Sequence, residues 1–176
     1  TRIASLKNSE GVSVKKSTAI LDIARDFYTS LYSASETNPQ SQKSLLKNIT
    51  TTLTDGQRQH LDAPLTAVEL GLAVRSLNKE KSPGINGLPA EFYQCFWPLI
   101  KDRYLQFLNH AFINSFPITV NTSVTTLLYK ERGDVERMEY YRPISLINTD
   151  IKIISKALTN RLKLVLPQIV HKSQSA

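Results

Sequence analysis

This 176-residue chain lacks most of what a self-contained catalytic centre is built from. It has one cysteine, Cys95, so it forms no internal disulfide and no cysteine-based zinc site. Cys95 lies in an apolar aromatic run, which predicts a small buried hydrophobe rather than a nucleophile. The three histidines, His60, His110 and His171, are far apart and in no ligand spacing. That argues against a metal site or a Ser-His-Asp arrangement. No Asp-Asp pair occurs anywhere; Asp134 and Asp150 stand alone. No apolar run approaches a membrane span, and no stretch of the sequence reads as a signal peptide. Acids are also scarce: 15 Asp and Glu face 22 Lys and Arg, for a net charge of +7. A basic balance favours a polyanionic partner, because lysine and arginine release counterions when they neutralise phosphates. Hydrophobic residues make up 41%, enough for a core but not a generous one.

The patterning predicts an α/β, helix-rich fold. Ile20, Ile23, Phe27 and Leu31 mark an amphipathic helix over 17–32, with Ser17 as its cap. The polar stretch 33–44, containing Pro39, reads as a loop or linker. Thr66-Ala-Val-Glu69 is a capping box, with Leu65 and Leu70 at the positions of a hydrophobic staple. Leu70, Ala73, Val74 and Leu77 then form one stripe, ending near Asn78. Lys79-Glu-Lys-Ser-Pro-Gly84 breaks the helix. A short aromatic helix over 89–97 starts at Pro89, and Pro98 is expected to interrupt or restart it. Ile100, Tyr104, Phe107, Leu108 and Ala111 carry the helical period on to about Asn114. Residues 123–129 and 141–147 read as a small antiparallel strand pair, the second bent at Pro143. A last helix runs from 148 or 149 to about Leu166, stopped by Pro167. Ile151, Ile154, Leu158, Leu162 and Val165 share one side of it, and Ile153, Ala157 and Leu164 add a second strip. Lys152, Lys156 and Lys163 form its wet stripe. A helix apolar over so much of its circumference needs cover from several elements, so a continuation of the chain is expected to pack there.

Three constellations carry candidate chemistry. Lys130 and Arg142 stand at the ends of the two extended segments, where a hairpin could bring them together. Arginine offers a planar fork that matches phosphate oxygens, and lysine a mobile point charge. The local sequence equally allows Arg142 to pair with Glu139 and merely hold the strand. Ser82-Pro-Gly84 with Gly87 permits close backbone approach and leads into a helix whose free amides could face phosphate. A plain helix-to-helix turn fits the same residues. Lys152, Lys156 and Lys163 could follow a nucleic-acid backbone without reading sequence, or simply be a solvated face. Tyr140 and Tyr141 could stack on bases, although tyrosines of this kind are more often half-buried core.

Taken in order, these motifs resemble the stretch of a non-LTR retrotransposon polyprotein (long interspersed element type) between its endonuclease and its polymerase palm. The resemblance rests on Phe27-Tyr28…Leu31-Tyr32, Pro64-Leu-Thr66…Glu69 and Lys81-Ser-Pro-Gly84. It continues through Pro89-Ala-Glu-Phe-Tyr93…Phe96-Trp97, Lys130-Glu-Arg-Gly-Asp134 and Tyr141-Arg-Pro-Ile-Ser-Leu-Ile-Asn148. It ends with Lys152, Lys156, Asn160-Arg-Leu-Lys163 and Gln174-Ser175. Two positions depart from the family pattern: Asn86, where an acid is common, and Tyr129, where proline is common. The resemblance implies that residues 1–63 are a helical linker or amino-terminal extension. Residues 64–176 would be the amino-terminal part of a reverse transcriptase domain, its fingers and first palm edge. It implies that Lys130 and Arg142 contact the triphosphate of an incoming deoxynucleotide. Ser82, Gly84, Gly87, Lys152, Lys156 and Lys163 would lie along the RNA template or the RNA–DNA or DNA primer duplex. The magnesium ions of such polymerases sit about 4 Å apart on later carboxylates. This stretch would therefore hold none and would not catalyse alone. Its other partners would be the palm, thumb and endonuclease of the same polyprotein. Thr1 is not an initiator methionine, so the sequence reads as a piece cut from a longer protein. A non-catalytic RNA-binding remnant and a helical protein-interaction module are the alternative readings.

Overall fold

The computed structural model describes residues 3–170 and 174; Thr1, His171 and Ser175 of the motifs above lie outside them. The fold is α/β and helix-rich, with two small antiparallel strand pairs. The chain divides into two compact units. One comprises residues 1–44 and 125–145, the other residues 45–124 and 146–176. The boundary at 63/64 expected from the sequence falls inside the second unit.

The first unit opens with a two-residue strand pair absent from the sequence expectations, β1 (Leu6–Lys7) and β2 (Ser13–Val14). Leu6 faces Val14 and Lys7 faces Ser13. Helix α1 spans Ser17–Tyr32 as its periodicity predicts. Its N-cap is Lys16, so Ser17 is the first helical residue rather than the cap. The expected loop over 33–44 contains part of a second helix, α2 (Pro39–Leu46). The cause is local. The Asn38 side chain accepts from the amides of Gln40 and Ser41, and Pro39 takes the first-turn position where its missing N–H costs nothing. Strands β3 (Val124–Tyr129) and β4 (Tyr141–Leu146) form the second ribbon. Leu6, Met138 and Tyr141 are buried together, with Ile20, Ile23 and Phe27 of α1 and Leu127 and Tyr129 of β3 packed on them. Leu31, the fourth residue of the predicted stripe, is exposed.

The loop joining β3 to β4 is pinned to the first strand pair. Lys7 reaches Asp134 at 2.6 Å. Ser5 and Ser13 both donate to Glu136 Oε1, at 2.5 and 2.6 Å. Gly133 has φ +78°, and a Cβ there would overlap the Tyr140 ring, so the turn needs glycine on both counts.

The second unit packs three helices: α4 (Ala67–Arg75), α5 (Ala90–Asn114) and α6 (Thr149–Leu162). A shorter α3 (Asp55–Asp62) precedes them, started by a capping box of Thr54 and Gln57. A final turn, α7 (Leu166–Ile169), holds Pro167 in its first turn, where it is tolerated. The Thr66 box at the start of α4 forms as expected. Thr66 Oγ1 accepts from the Glu69 amide at 3.2 Å, and Glu69 Oε2 accepts from the Thr66 amide at 2.9 Å. Leu70, Ala73 and Val74 are buried against Tyr93, Trp97, Tyr104 and Leu108 of α5.

Pro98 does not break α5, which runs unbroken for 25 residues. A helix-internal proline forfeits one backbone hydrogen bond. Here Trp97 and Tyr104 pack edge to face across it, with ring centroids 5.7 Å apart, and hold both sides in one core. Helix α5 ends where Ser115 turns to φ +73°. Cys95 is exposed, not buried: it lies on the solvent side of this helix, between core residues Tyr93 and Trp97.

The inner face of α6 is Ile153, Ile154, Ala157 and Arg161, all buried. Leu158 and Leu162, expected on the core side, are 36% and 44% exposed. Helices α4 and α5 therefore cover one face of α6 and leave the other apolar strip open.

Candidate nucleic-acid interface

In the first unit the ribbon register decides where the two predicted cations lie. Thr125 and Ser145 join hydroxyls at 2.8 Å, and the Tyr129 and Tyr141 rings are 5.6 Å apart. The Lys130 amide donates to the Tyr140 carbonyl at 2.8 Å. Residue 129 thus faces 141, 130 faces 140 and 128 faces 142. Side chains alternate along a strand, so 128, 130, 140 and 142 share one face and 127, 129 and 141 share the other. The second face is the one packed on the core. Lys130 and Arg142 are diagonal cross-strand neighbours on the open face, about 7–8 Å apart at the backbone.

Their side chains are held differently. Lys130 Nζ donates to the Glu139 carbonyl at 2.7 Å, which leaves two of its three donors. The Arg142 side chain is exposed and makes no hydrogen bond or ion pair among the described residues. Glu139, the acid that could have claimed Arg142, pairs instead with Arg137 at 2.9 Å. Tyr141 is buried, and its hydroxyl donates to the Val135 carbonyl. Tyr129 donates to the Gly133 carbonyl at 2.8 Å, so tyrosine closes the turn where the family resemblance leads one to expect proline.

In the second unit the 81–89 loop is fastened to the start of α6. Asn148, 1% exposed, is the fastener. Its Oδ1 accepts from the Asn86 amide, and its Nδ2 donates to the carbonyls of Thr119 and Val120. A Cβ on Gly84 would overlap the Asn148 backbone and amide, so the close approach that Gly84 permits is to its own chain. Gly87 has φ +72° and open space around it, and its amide closes a turn onto the Gly84 carbonyl. Thr149 donates to the Leu88 carbonyl at 2.7 Å, and Lys152 Nζ to the Ser82 carbonyl at 3.0 Å.

Asp150 draws the Tyr93 hydroxyl at 2.5 Å and the Asn86 amide at 3.1 Å. An acid at position 86 would face that carboxylate, so Asn86 suits this neighbour. Burial, and then the Asp150 carboxylate, pushes the Tyr93 phenol well above its usual range. Burial does the same to Tyr104, which donates to the Asp150 carbonyl. The start of α5 carries an anion of its own. Glu91 accepts from the Glu80 amide at 2.5 Å. That bond, and then its own amide, holds its carboxyl below the ordinary range.

Of the lysine stripe, Lys152 and Lys156 are half-buried on α6. Lys163 is exposed at the C-cap, just past the last helical residue. Arg161 was not foreseen as special, and it is 5% exposed. It binds both carboxylate oxygens of Glu69, at 2.5 and 2.9 Å, and donates to the carbonyls of Leu61, Ala63 and Pro64. This holds the Glu69 carboxyl down at about 2. The signal was available: positions 153, 154, 157 and 161 fall on one helical face. Among the described residues, no group of three or more His, Cys, Asp or Glu side chains could hold a metal ion, and no helix is long and apolar enough to cross a membrane.

No family model matches the chain. A curated protein does, at 34% identity over 175 residues, or 99% of this chain. The similarity is to a transposon. The protein is the transposon TX1 uncharacterized 149 kDa protein of Xenopus laevis, and the chain spans 13% of its length. This transposon-related stretch thus contains both candidate sites within one continuous alignment.

Proposed function

We propose that this transposon-related chain is the fingers-side part of a non-LTR retrotransposon reverse transcriptase, an RNA-directed DNA polymerase. It would contribute template and nucleotide contacts to that enzyme. The observation that carries the reading is the shared face of Lys130 and Arg142. Two cations stand as diagonal neighbours on a short ribbon, and no carboxylate claims Arg142. That arrangement suits a triphosphate: the guanidinium fork takes two oxygens and the ammonium a third. The core-facing side of the ribbon, through Leu127, Tyr129 and Tyr141, holds the pair in place. Similarity to a transposon protein along nearly the whole chain supports the same reading.

Among the described residues, no group of three or more His, Cys, Asp or Glu side chains is placed to hold a magnesium ion. In this reading the metal belongs to other parts of the parent polyprotein, with the palm, thumb and endonuclease, and no step of the reaction is assigned to this chain. Its part is to bind and orient the nucleotide and the template strand.

The test is steady-state incorporation of deoxynucleotides on a primed RNA template by the parent enzyme. Arg142→Ala is expected to lower kcat/KM for the nucleotide by about tenfold or more, the usual effect of losing a charged hydrogen bond. Lys130→Ala should act in the same direction, more weakly. Unchanged kinetics in a folded Arg142→Ala enzyme would remove the assigned role.

A further inference from the structure

We propose that the first unit carries a peptide-binding slot, in which a short extended segment with a basic end adds as a third strand to the free edge of β3. The polymerase reading is not needed for it. It follows from the register of the ribbon. The Lys130 amide bonds to the Tyr140 carbonyl, so 130/140, 128/142 and 126/144 are the hydrogen-bonded pairs. The backbone amides and carbonyls of Thr125, Leu127 and Tyr129 therefore point away from β4. Among the described residues, no hydrogen bond reaches them. The outer edge of β4 differs. Pro143 stands opposite 127, and its missing N–H falls on that edge and blunts it. Strand β3 thus keeps a full row of free donors and acceptors on its outer side, and β4 does not.

This edge borders a slot rather than open solvent. The slot encloses about 420 Å³ between residues 126–129 and the segment Ile3-Ala-Ser5. Strands in a sheet lie about 4.8 Å apart and rise about 3.3 Å per residue, so the space takes roughly three residues of extended chain. Ile3, Leu127, Tyr129 and Val135 give it an apolar side. An added strand points alternate side chains to that side, so the occupant alternates apolar and polar residues. Charge decides between occupants. No lysine or arginine lines the slot, although the chain has 22. A nucleic-acid strand would meet no cation there. The charged lining residue is Glu131, just past the end of β3. It is exposed, and its carboxylate has no partner among the described residues. A lysine or arginine at the end of the occupant answers it. A second copy of this chain fits poorly. Its own β3 edge is walled by its own residues 3–5, and two edges walled in this way cannot come together.

The probe is a fluorescein-labelled, amidated peptide that alternates valine with threonine and carries a lysine at each end. Its anisotropy with the 176-residue chain should show saturable binding. Glutamates in place of its lysines should weaken binding about fivefold, against the direction set by the chain's charge of +7. Glu131→Gln should narrow that difference. Ala4 is exposed and lines the slot, so Ala4→Trp should fill it, leave the thermal melt unaltered and abolish binding. Bound peptide should slow amide exchange at Leu127 and Tyr129 about tenfold or more, and leave Thr126 and Leu128, already in the ladder, unchanged. Absence of saturable binding would overturn the slot. So would binding that survives Ala4→Trp, or bound peptide without protection at 127 and 129. Equal or tighter binding of the glutamate peptide would overturn the basic occupant. Self-association that protects these amides without peptide would assign the edge to a second copy instead.

Discussion

The two candidate sites are built on opposite plans. The Lys130–Arg142 ribbon uses its buried face for cohesion and leaves its charged face almost unengaged. The 81–89 loop and the start of α6 weave nearly every polar group into the fold: Asn86, Asn148, Thr149, Asp150 and Lys152 all bond across it. An exposed guanidinium without a protein partner gives up only water when a ligand arrives. A group already bonded must exchange one partner for another. Charge that is idle in the free chain is therefore the better sign of a ligand-facing residue, and bonded charge the better sign of scaffolding.

Substitutions can break this contrast or sharpen it. The largest effect is expected at Arg161, the most heavily bonded cation. Arg161→Ala takes the guanidinium from three carbonyls and from Glu69, which keeps only its Thr66 donors, so the second unit should lose about 3–5 kcal/mol. Trp97, the chain's sole tryptophan, lies in that unit's core and reports its unfolding by fluorescence in urea. A loss under 1 kcal/mol would erase the distinction.

The next effect is a pH dependence. The Glu69 carboxyl is held near 2 in the fold, against about 4.3 in an unfolded chain. A depressed folded value contributes stability that is complete above the unfolded value and is lost as pH falls through the folded one. Stability of the second unit should therefore decline between about pH 4.5 and 2, and Glu69→Gln should flatten that part of the curve. The smallest effect is expected at Arg142. Replacement by alanine should change the melting free energy by no more than about 0.5 kcal/mol, as for other surface residues. A larger loss would move Arg142 into the scaffold class.

Local chemistry made much of this fold legible in advance. The Thr66 box, the span of α1 and the two ribbon strands depend on neighbours a few residues away, and they form as read. Other features depended on distant partners. Pro98 was read as a break because its missing N–H is a local fact, whereas the aromatic packing that carries α5 through it is not. Cys95 was placed inside because its neighbours are apolar, yet at helical spacing Tyr93 and Trp97 turn inward and residue 95 outward. Arg161 was given no role of its own, since its partner Glu69 lies 92 positions earlier. Helix α2 was missed although Asn38-Pro39 is a readable start signal. At the site, sequence named Lys130 and Arg142 but left open whether Arg142 would pair with Glu139. That depended on Arg137 reaching Glu139 first.

The contact between Gly84 and Asn148 carries a consequence for related sequences. A side chain at 84 would fall in the volume that Asn148 occupies, so position 84 cannot grow while Asn148 stays where it is. A relative with a bulky residue at 84 should have had to re-route the loop or move the start of its last long helix, so this one position reports whether another chain can share the fastening seen here.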